Sequence, residues 1–266
     1  MVSREHISKS FDYAIFKCND YPKAIALRYY KEHKDNFVSD TYPTGADTES
    51  LPSPVGRLQQ IQADLQEQID YKSLERGVLH DYSTNSFIAL GMMLNNVPNW
   101  MDECDFLTHY ISDNGDFMLP VLDSPNNDGR GDWHSMSVQE ESDRISKVID
   151  KSPRVQEDCI VYRYGELPLD IEVGGHGTFK SFTSTSYNPY IAFDNIPNGG
   201  TWVQGSHEQE VRYKMRIFTP SGTKGVVLNE HTGCMDWQSE LLLDKGQRYI
   251  VLARNDKEKT ADILLY

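Results

Sequence analysis

The chain has 266 residues, enough for one large domain or a medium domain behind an N-terminal extension, and either size buries a hydrophobic core without disulfide or metal staples. Hydrophobic residues make up 38%, charged residues 25% and aromatic residues 11%, which excludes wholesale disorder and predicts a packed protein. A formal net charge of -14 opposes binding to phosphate backbones, and the apolar run from Phe87 to Leu94 falls far short of the roughly 20 residues of a membrane span, so neither a nucleic-acid partner nor a transmembrane helix is expected.

In chain order, residues 1–40 read as helical, with Ile15, Phe16, Tyr21, Ile25, Leu27 and Tyr29 set among charges. The polar start lacks the apolar core of a secretory signal, which predicts a cytoplasmic protein. The run Tyr42 to Pro54 collects Pro, Gly, Ser and Thr and reads as a linker, separating a helical N-terminal extension, residues 1–55, from a main domain, residues 56–266. Leu58, Ile61, Leu65 and Ile69 recur at helical spacing, and a second core helix is expected over Thr84 to Asn95 with Phe87, Leu90, Gly91 and Leu94 on one side. Asp123 to Trp133 is a turn-rich surface loop; a calcium loop centred on Gly129 needs acids where Ser124 and Ser135 stand, so calcium is not expected there.

A helix is predicted over Val138 to Ile149, after which the pattern changes to strands. Cys159–Tyr164, Thr178–Ser186, Val211–Phe218, Lys224–Leu228, Gln238–Leu243, Arg248–Ala253 and Asp262–Tyr266 are short β-branched or aromatic segments between turn residues. A helical first half before a strand-rich second half is an α+β arrangement. Cys18, Cys104, Cys159 and Cys234 stand singly, which predicts free thiols and no zinc site or disulfide.

Three strands carry polar residues where a core strand would not. Arg163 ends an apolar strand two residues before Gly165, a turn glycine that lets a ligand approach the backbone; the arginine reads either as a surface charge or as a guanidinium fork for a pyrophosphate. In Ser184-Thr185-Ser186 the period of two puts both serines on one face, as braces for a neighbouring carboxylate or as a cap for the segment that follows. The same alternation in Gln238-Ser-Glu240-Leu-Leu-Leu243 aims Gln238 and Glu240 to one face, either into water at an edge strand or into a site.

Taken in order, Arg163, Phe182-x-Ser184-Thr185-Ser186, Pro220-Ser-Gly-Thr-Lys-Gly225, Gln238-x-Glu240 and Gly246-x-x-Tyr249 resemble the mono-ADP-ribosyltransferases of the Arg, Ser-Thr-Ser, Glu class, over about residues 70–266. The motifs are similar to those of bacterial exoenzymes that modify Rho GTPases, of actin-modifying toxins and of phage-encoded ADP-ribosyltransferases. The resemblance implies a helical N-terminal half packed on a C-terminal β-sandwich core, and NAD as substrate with no metal. It implies that Arg163 holds the NAD diphosphate, with Gly165, Thr185 and Ser186 as further NAD-binding positions, and that Ser184 orients the catalytic Glu240.

By the same resemblance Gln238 stands where arginine-modifying members carry a glutamate. A neutral amide cannot act as a base toward guanidinium, so Asn, Gln or Thr of a target protein becomes the expected acceptor. Trp237 is placed where the family meets its target, and residues 194–209, with Gly199, Gly200 and Trp202, where a loop closes over the substrate. One departure stands out: Leu90-Gly91-Met-Met-Leu94-Asn95 replaces a helical pattern whose Asn and Arg touch NAD. That change motivates a second reading, a non-catalytic interaction module that keeps the fold, and hydrolysis of NAD by water is a third.

Overall fold

Helices fill the first part of the chain and strands the last in the computed structural model, which describes residues 21–37, 54–96, 118–122, 133–168, 170–193, 212–232, 234 and 239–266. The helices are α1 (Tyr21–His33), α2 (Pro54–Gln66) and α3 (Ser73–Asp81), the last running through a π-helical turn (Tyr82–Ser86) into α4 (Phe87–Leu94). β1 (Met118–Leu122) and β2 (Trp133–Ser137) form an antiparallel pair that leads into α5 (Val138–Lys151). The main sheet is built from β3 (Cys159–Glu166), β4 (His176–Thr178), β5 (Thr183–Ser186), β6 (Arg212–Thr219), β7 (Gly225–Val227), β8 (Glu240–Leu243), β9 (Arg248–Asn255) and β10 (Thr260–Leu265), with α6 (Pro189–Phe193) after β5. Their order is β4-β9-β10-β6-β3-β5-β8-β7, and the parallel pairing of β10 with β6 makes the sheet mixed.

The elements follow from local chemistry. α5 starts where the Ser137 hydroxyl accepts the Glu140 N–H at 3.2 Å, carries Glu140 and Glu141 in its first turn, and buries Val138, Ile145, Val148 and Ile149 on one stripe. β6 buries Tyr213, Met215 and Ile217 while Lys214 and Arg216 between them face out. Gly246, at φ +80°, makes the left-handed turn between β8 and β9.

The sheet has two arms joined at one narrow point, since β3 and β5 meet only through Tyr162 opposite Ser186. Val161, Met215, Ile217, Val251 and Ile263 of the long arm share a core with Val227, Leu241 and Leu243 of the short arm. The other face of the short arm, with Phe182, Val226 and Leu242, packs on Val78, Leu79, Tyr82, Leu90, Ile145 and Ile149 of the helices. On the long arm, Leu27 of α1 and Phe37 cover Ile160, Phe218, Ile250 and Leu264. α1 lies within the expected N-terminal extension, and this contact makes it part of the same folded body.

Several expectations change. The strand expected over Thr178–Ser186 is two strands at distant places in the sheet: β4 pairs with β9 and β5 with β8. Between them Phe179 exchanges backbone hydrogen bonds with the β8–β9 turn, donating to Gln247 O and accepting from Gly246 N. α3 was not expected, and the helix predicted from Thr84 starts instead as the π turn. The proposed linker short of Pro54, the Asp123–Trp133 loop short of Trp133, Cys18 and Cys104 lie outside the described residues. Cys159 and Cys234 are buried free thiols, and burial pushes their pKa values up to about 12 and about 11. Among the described residues no helix is long and apolar enough to cross a membrane.

Gln66, fully buried at the end of α2, acts as an extra strand residue. Its amide nitrogen donates to Val227 O at 2.9 Å and its carbonyl accepts Val227 N–H at 2.7 Å, which closes the edge strand β7. Gln66→Leu leaves the buried Val227 N–H without its partner and the Val227 carbonyl with only the long 3.5 Å contact from Thr232 Oγ1, and should cost about 1–3 kcal/mol. Leu27→Ala should cost about 3 kcal/mol through the cavity it leaves on the long arm. Urea unfolding of each variant against the parent checks both.

Candidate active site

The arms meet where β3, β5 and β8 lie side by side, and three of the residues singled out from the sequence meet there. The register sets Ser186 opposite Glu240 and Ser184 opposite Leu242, so Ser184, Ser186 and Glu240 share one face, as the alternation predicts for the serines. Ser184 reaches diagonally to Glu240, its hydroxyl donating to Oε1 at 2.5 Å. Arg163 donates from Nη1 to the Ser184 carbonyl at 2.7 Å and forms no ion pair with a carboxylate among the described residues. The guanidinium thus sits beside the serine that holds the glutamate.

Glycine at 165 makes room for the Arg163 side chain. A Cβ there would stand 2.8 Å from Arg163 Nε, so the space beside the backbone is filled by the arginine's own side chain. Gly165 lets the guanidinium fold back along its strand toward Ser184.

Glu240 opens β8 and is only 5% exposed. Burial pushes its pKa up to about 7, against the Ser184 hydrogen bond and the Arg163 charge, which both pull it down. Arg163 is pulled down by burial and remains a cation, since its guanidinium starts from 12.5. A buried carboxyl that changes charge near neutrality beside a half-buried guanidinium has the perturbed titration that clusters at functional sites.

The other hydroxyls of the motif brace the frame. Thr185 donates to Leu241 O at 2.7 Å on the opposite face, and Ser186 accepts the Asn188 N–H at 3.1 Å, the capping role left open by the sequence. The strand expected from Gln238 begins only at Glu240, because Ser239 takes a left-handed conformation, φ +46°, which stops the pleat. Tyr187 N–H holds that bend by donating to Ser239 O at 3.0 Å. Gln238, with Trp237, Gly199, Gly200 and Trp202, lies outside the described residues.

Tyr82, the first residue of the π turn, joins the site without having been predicted. It is 5% exposed, packs edge-on against Phe182 at 5.8 Å, and its phenol is held well above its ordinary pKa by burial, with Glu240 adding to the rise and Arg163 opposing it. The signal available was the polar run Tyr82-Ser-Thr-Asn-Ser86 immediately before the apolar Phe87–Leu94. Further along, a Cβ on Gly91 would meet nothing within 4 Å, and Asn95 spends its amide on Gly91 O at 2.8 Å. Among the described residues no three His, Cys, Asp or Glu side chains are grouped to hold a metal ion.

Residues 102–265 match the family model described as ADP-ribosyltransferase exoenzyme. No curated protein sequence matches the chain. Among solved structures, C3stau2 from S. aureus with NAD is 15% identical at a TM-score of 0.50, over 83% of this chain and 99% of that one. The ADP-ribosyltransferase Vis, from Vibrio splendidus, in complex with agmatine is 12% identical at a TM-score of 0.50, over 84% of this chain and 86% of that one. At these identities the likeness speaks for the fold: a large mixed sheet with helices.

The raised pKa of Glu240 makes its burial a pH-dependent cost. Below the unfolded value of 4.5 both states are protonated and nothing is lost; stability then falls as pH rises, and above about 7 the full cost applies, about 3 kcal/mol. Glu240→Gln should therefore be more stable than the parent at pH 8, with the gap closing toward pH 4.5, as read by thermal unfolding across that range. Ser184→Ala removes a contact that pulls the pKa down, so a carboxyl-carbon NMR titration should show Glu240 titrating above about 7 in that variant.

Proposed function

The chain belongs to the ADP-ribosyltransferase exoenzyme family, and we propose that it moves ADP-ribose from NAD to an Asn, Gln or Thr side chain of a target protein in the cytoplasm of a bacterial or host cell, releasing nicotinamide. The observation that carries this reading is the hydrogen bond from Ser184 to the buried Glu240 with the Arg163 guanidinium beside it. NAD supplies an electrophilic ribose carbon, whose bond to nicotinamide breaks with growth of positive charge on the sugar. The remaining work falls to the chain.

Glu240, once ionised, sets a negative charge in a poorly solvated place, where it acts on a nearby positive charge more strongly than it would in water. Ser184 fixes one of its oxygens, so the carboxylate needs no reorientation when the charge appears. Arg163 has the planar donor set for a diphosphate and is folded back by Gly165 into reach of the same corner. Thr185 and Ser186 serve NAD through the frame they brace.

The acceptor follows from Gln238: an amide cannot take a proton from guanidinium, which favours Asn, Gln or Thr over arginine, and Trp237 beside it is the proposed contact to the target. The shared core between the two arms supports describing the strands as a β-sandwich beneath a helical half, and residues 1–55 remain the proposed extension to the main domain. The intact Ser184, Glu240 and Arg163 geometry favours catalysis over a binding module that only keeps the fold, despite the changed residues at Gly91 and Asn95.

Incubation of the protein with labelled NAD and a cell lysate should label discrete protein bands, and Glu240→Ala should lower the rate by about 100-fold or more, the cost of one preorganised electrostatic group at about 3 kcal/mol. Peptide mass spectrometry of the band should find ADP-ribose on Asn, Gln or Thr; arginine would overturn the acceptor assignment. Free ADP-ribose without labelled protein would make the chain a NAD glycohydrolase, and no nicotinamide release at all would leave the binding-module reading.

A further inference from the structure

A second buried carboxyl lies behind the site, in a place the reaction does not use. Glu141, in the first turn of α5, has no exposed surface; its Oε1 accepts the Ser86 hydroxyl at 2.5 Å and its Oε2 has no hydrogen-bond partner. Ser86 is the last residue of the π turn and Asp81 the residue before its first. Both are buried, and the Asp81 carboxyl acts on Glu141. One end of the turn that carries Tyr82 is thus bonded to an acidic side chain, and the other end sets a second carboxyl near it.

The surroundings decide which charge state Glu141 holds. The start of α5 favours a negative charge there through the helix dipole, an effect of about 0.3–1 kcal/mol, whereas desolvating an unpaired carboxylate costs several times more. Of the charged groups on the elements around it, Glu75, Arg76, His80 and Asp81 on α3 and Asp244 and Lys245 after β8, only Asp81 acts on the Glu141 carboxyl, and it opposes ionisation. The Lys245 ammonium goes instead to Ser142 Oγ at 2.6 Å and Asp143 at 3.1 Å. Burial raises the Glu141 pKa well above its ordinary value, with Asp81 adding to the rise and Ser86 opposing it.

α5 also touches the strand that bears Glu240. Ser146 donates to Asp244 Oδ1 at 2.8 Å, one residue past the end of β8, and Ser142 receives Lys245 from the following turn. One helix therefore holds the wall that carries Tyr82 at its front and the tail of the catalytic strand farther along. π turns inserted in helices occur often at functional sites, and they persist only where surrounding contacts hold the extra residue.

We propose that Glu141 is a positioning residue for the NAD site: its uncharged carboxyl, bonded to Ser86, holds the Tyr82–Ser86 π turn with Tyr82 against Phe182, and its ionisation, which sets an unpaired buried charge on Oε2 beside the Asp81 carboxyl, drives the two acidic groups apart and releases the turn. The inference rests on the NAD reading of the site given above. The two carboxyls then act on opposite sides of the pH range. Glu240 must lose its proton to work, which sets the acid side of the activity profile, and Glu141 must keep its proton, which sets the alkaline side.

The test uses the full chain as parent, Glu141→Gln and Glu141→Ala, with nicotinamide release from NAD followed between pH 6 and pH 9.5 and hydrogen exchange of the amides of residues 82–87 followed over the same range. Glutamine keeps the neutral carbonyl that Ser86 needs and cannot ionise. The parent should lose about tenfold or more in kcat/KM at high pH through a rising KM for NAD, with faster exchange in the turn; Glu141→Gln should hold both its KM and its protection there. Glu141→Ala should show fast exchange and a raised KM at every pH. If the parent and Glu141→Gln share one alkaline profile and one exchange pattern, the inference is overturned while the NAD reading stands. Should the parent release no nicotinamide, the NAD reading fails, and the exchange comparison still decides whether Glu141 holds the turn.

Discussion

Keeping the Glu240 carboxyl out of water is the constraint around which this corner of the molecule is arranged. A carboxylate that is 5% exposed is costly, and two contacts offset the cost without removing it: the Ser184 hydroxyl and the Arg163 charge. Were they stronger, the group would be a settled ion pair with little left for a ligand; were they absent, it would stay protonated and do nothing near neutral pH. The balance leaves a group whose charge is available but poorly compensated, the condition in which a developing positive charge nearby gains most.

Placing that group requires irregular backbone at each of its neighbours. β3 and β5 touch at a single residue pair, so the two arms diverge there and leave room for side chains where a full ladder would have none. Gly165 frees the path along which Arg163 folds back, and the left-handed Ser239 stops the pleat one residue before Glu240. Behind them the helix that would run smoothly from Ser73 to Leu94 takes an extra residue in its π turn and so brings Tyr82 to the same corner. Strained or sparsely used backbone of this kind is kept where the surrounding contacts over-determine it.

Legibility in the sequence followed the range of the interaction. Alternation over Ser184-Thr185-Ser186 was enough to assign the faces of β5, because strand geometry repeats every two residues whatever lies elsewhere. It does not reach Ser239, since nothing local announces that this residue turns left-handed; the Tyr187 amide that holds the bend comes from another strand's end. Thr178–Ser186 read as one strand because Phe179 and Phe182 suit a pleat, whereas one packs beside Tyr249 and the other among the helices. The π turn escaped because a test for the 3.6-residue period has no place for it, and the roles of Gln66 and Glu141 escaped because their partners, Val227 and Ser86, lie 161 and 55 residues away.

The side-chain amide of Gln66 has an effect beyond this molecule. A sheet border with vacant peptide groups invites an extended segment of another polypeptide to add itself as a further strand, in recognition and in aggregation alike. At Val227 that invitation is withdrawn by an imitation peptide supplied from α2. The far border, β4, spans three residues, and its Gly177 lies so close to Tyr249 that a Cβ would come within 2.5 Å of the ring. Among the described residues neither margin of the main sheet offers a long run of open backbone, so addition of a further strand is disfavoured at both ends of that sheet.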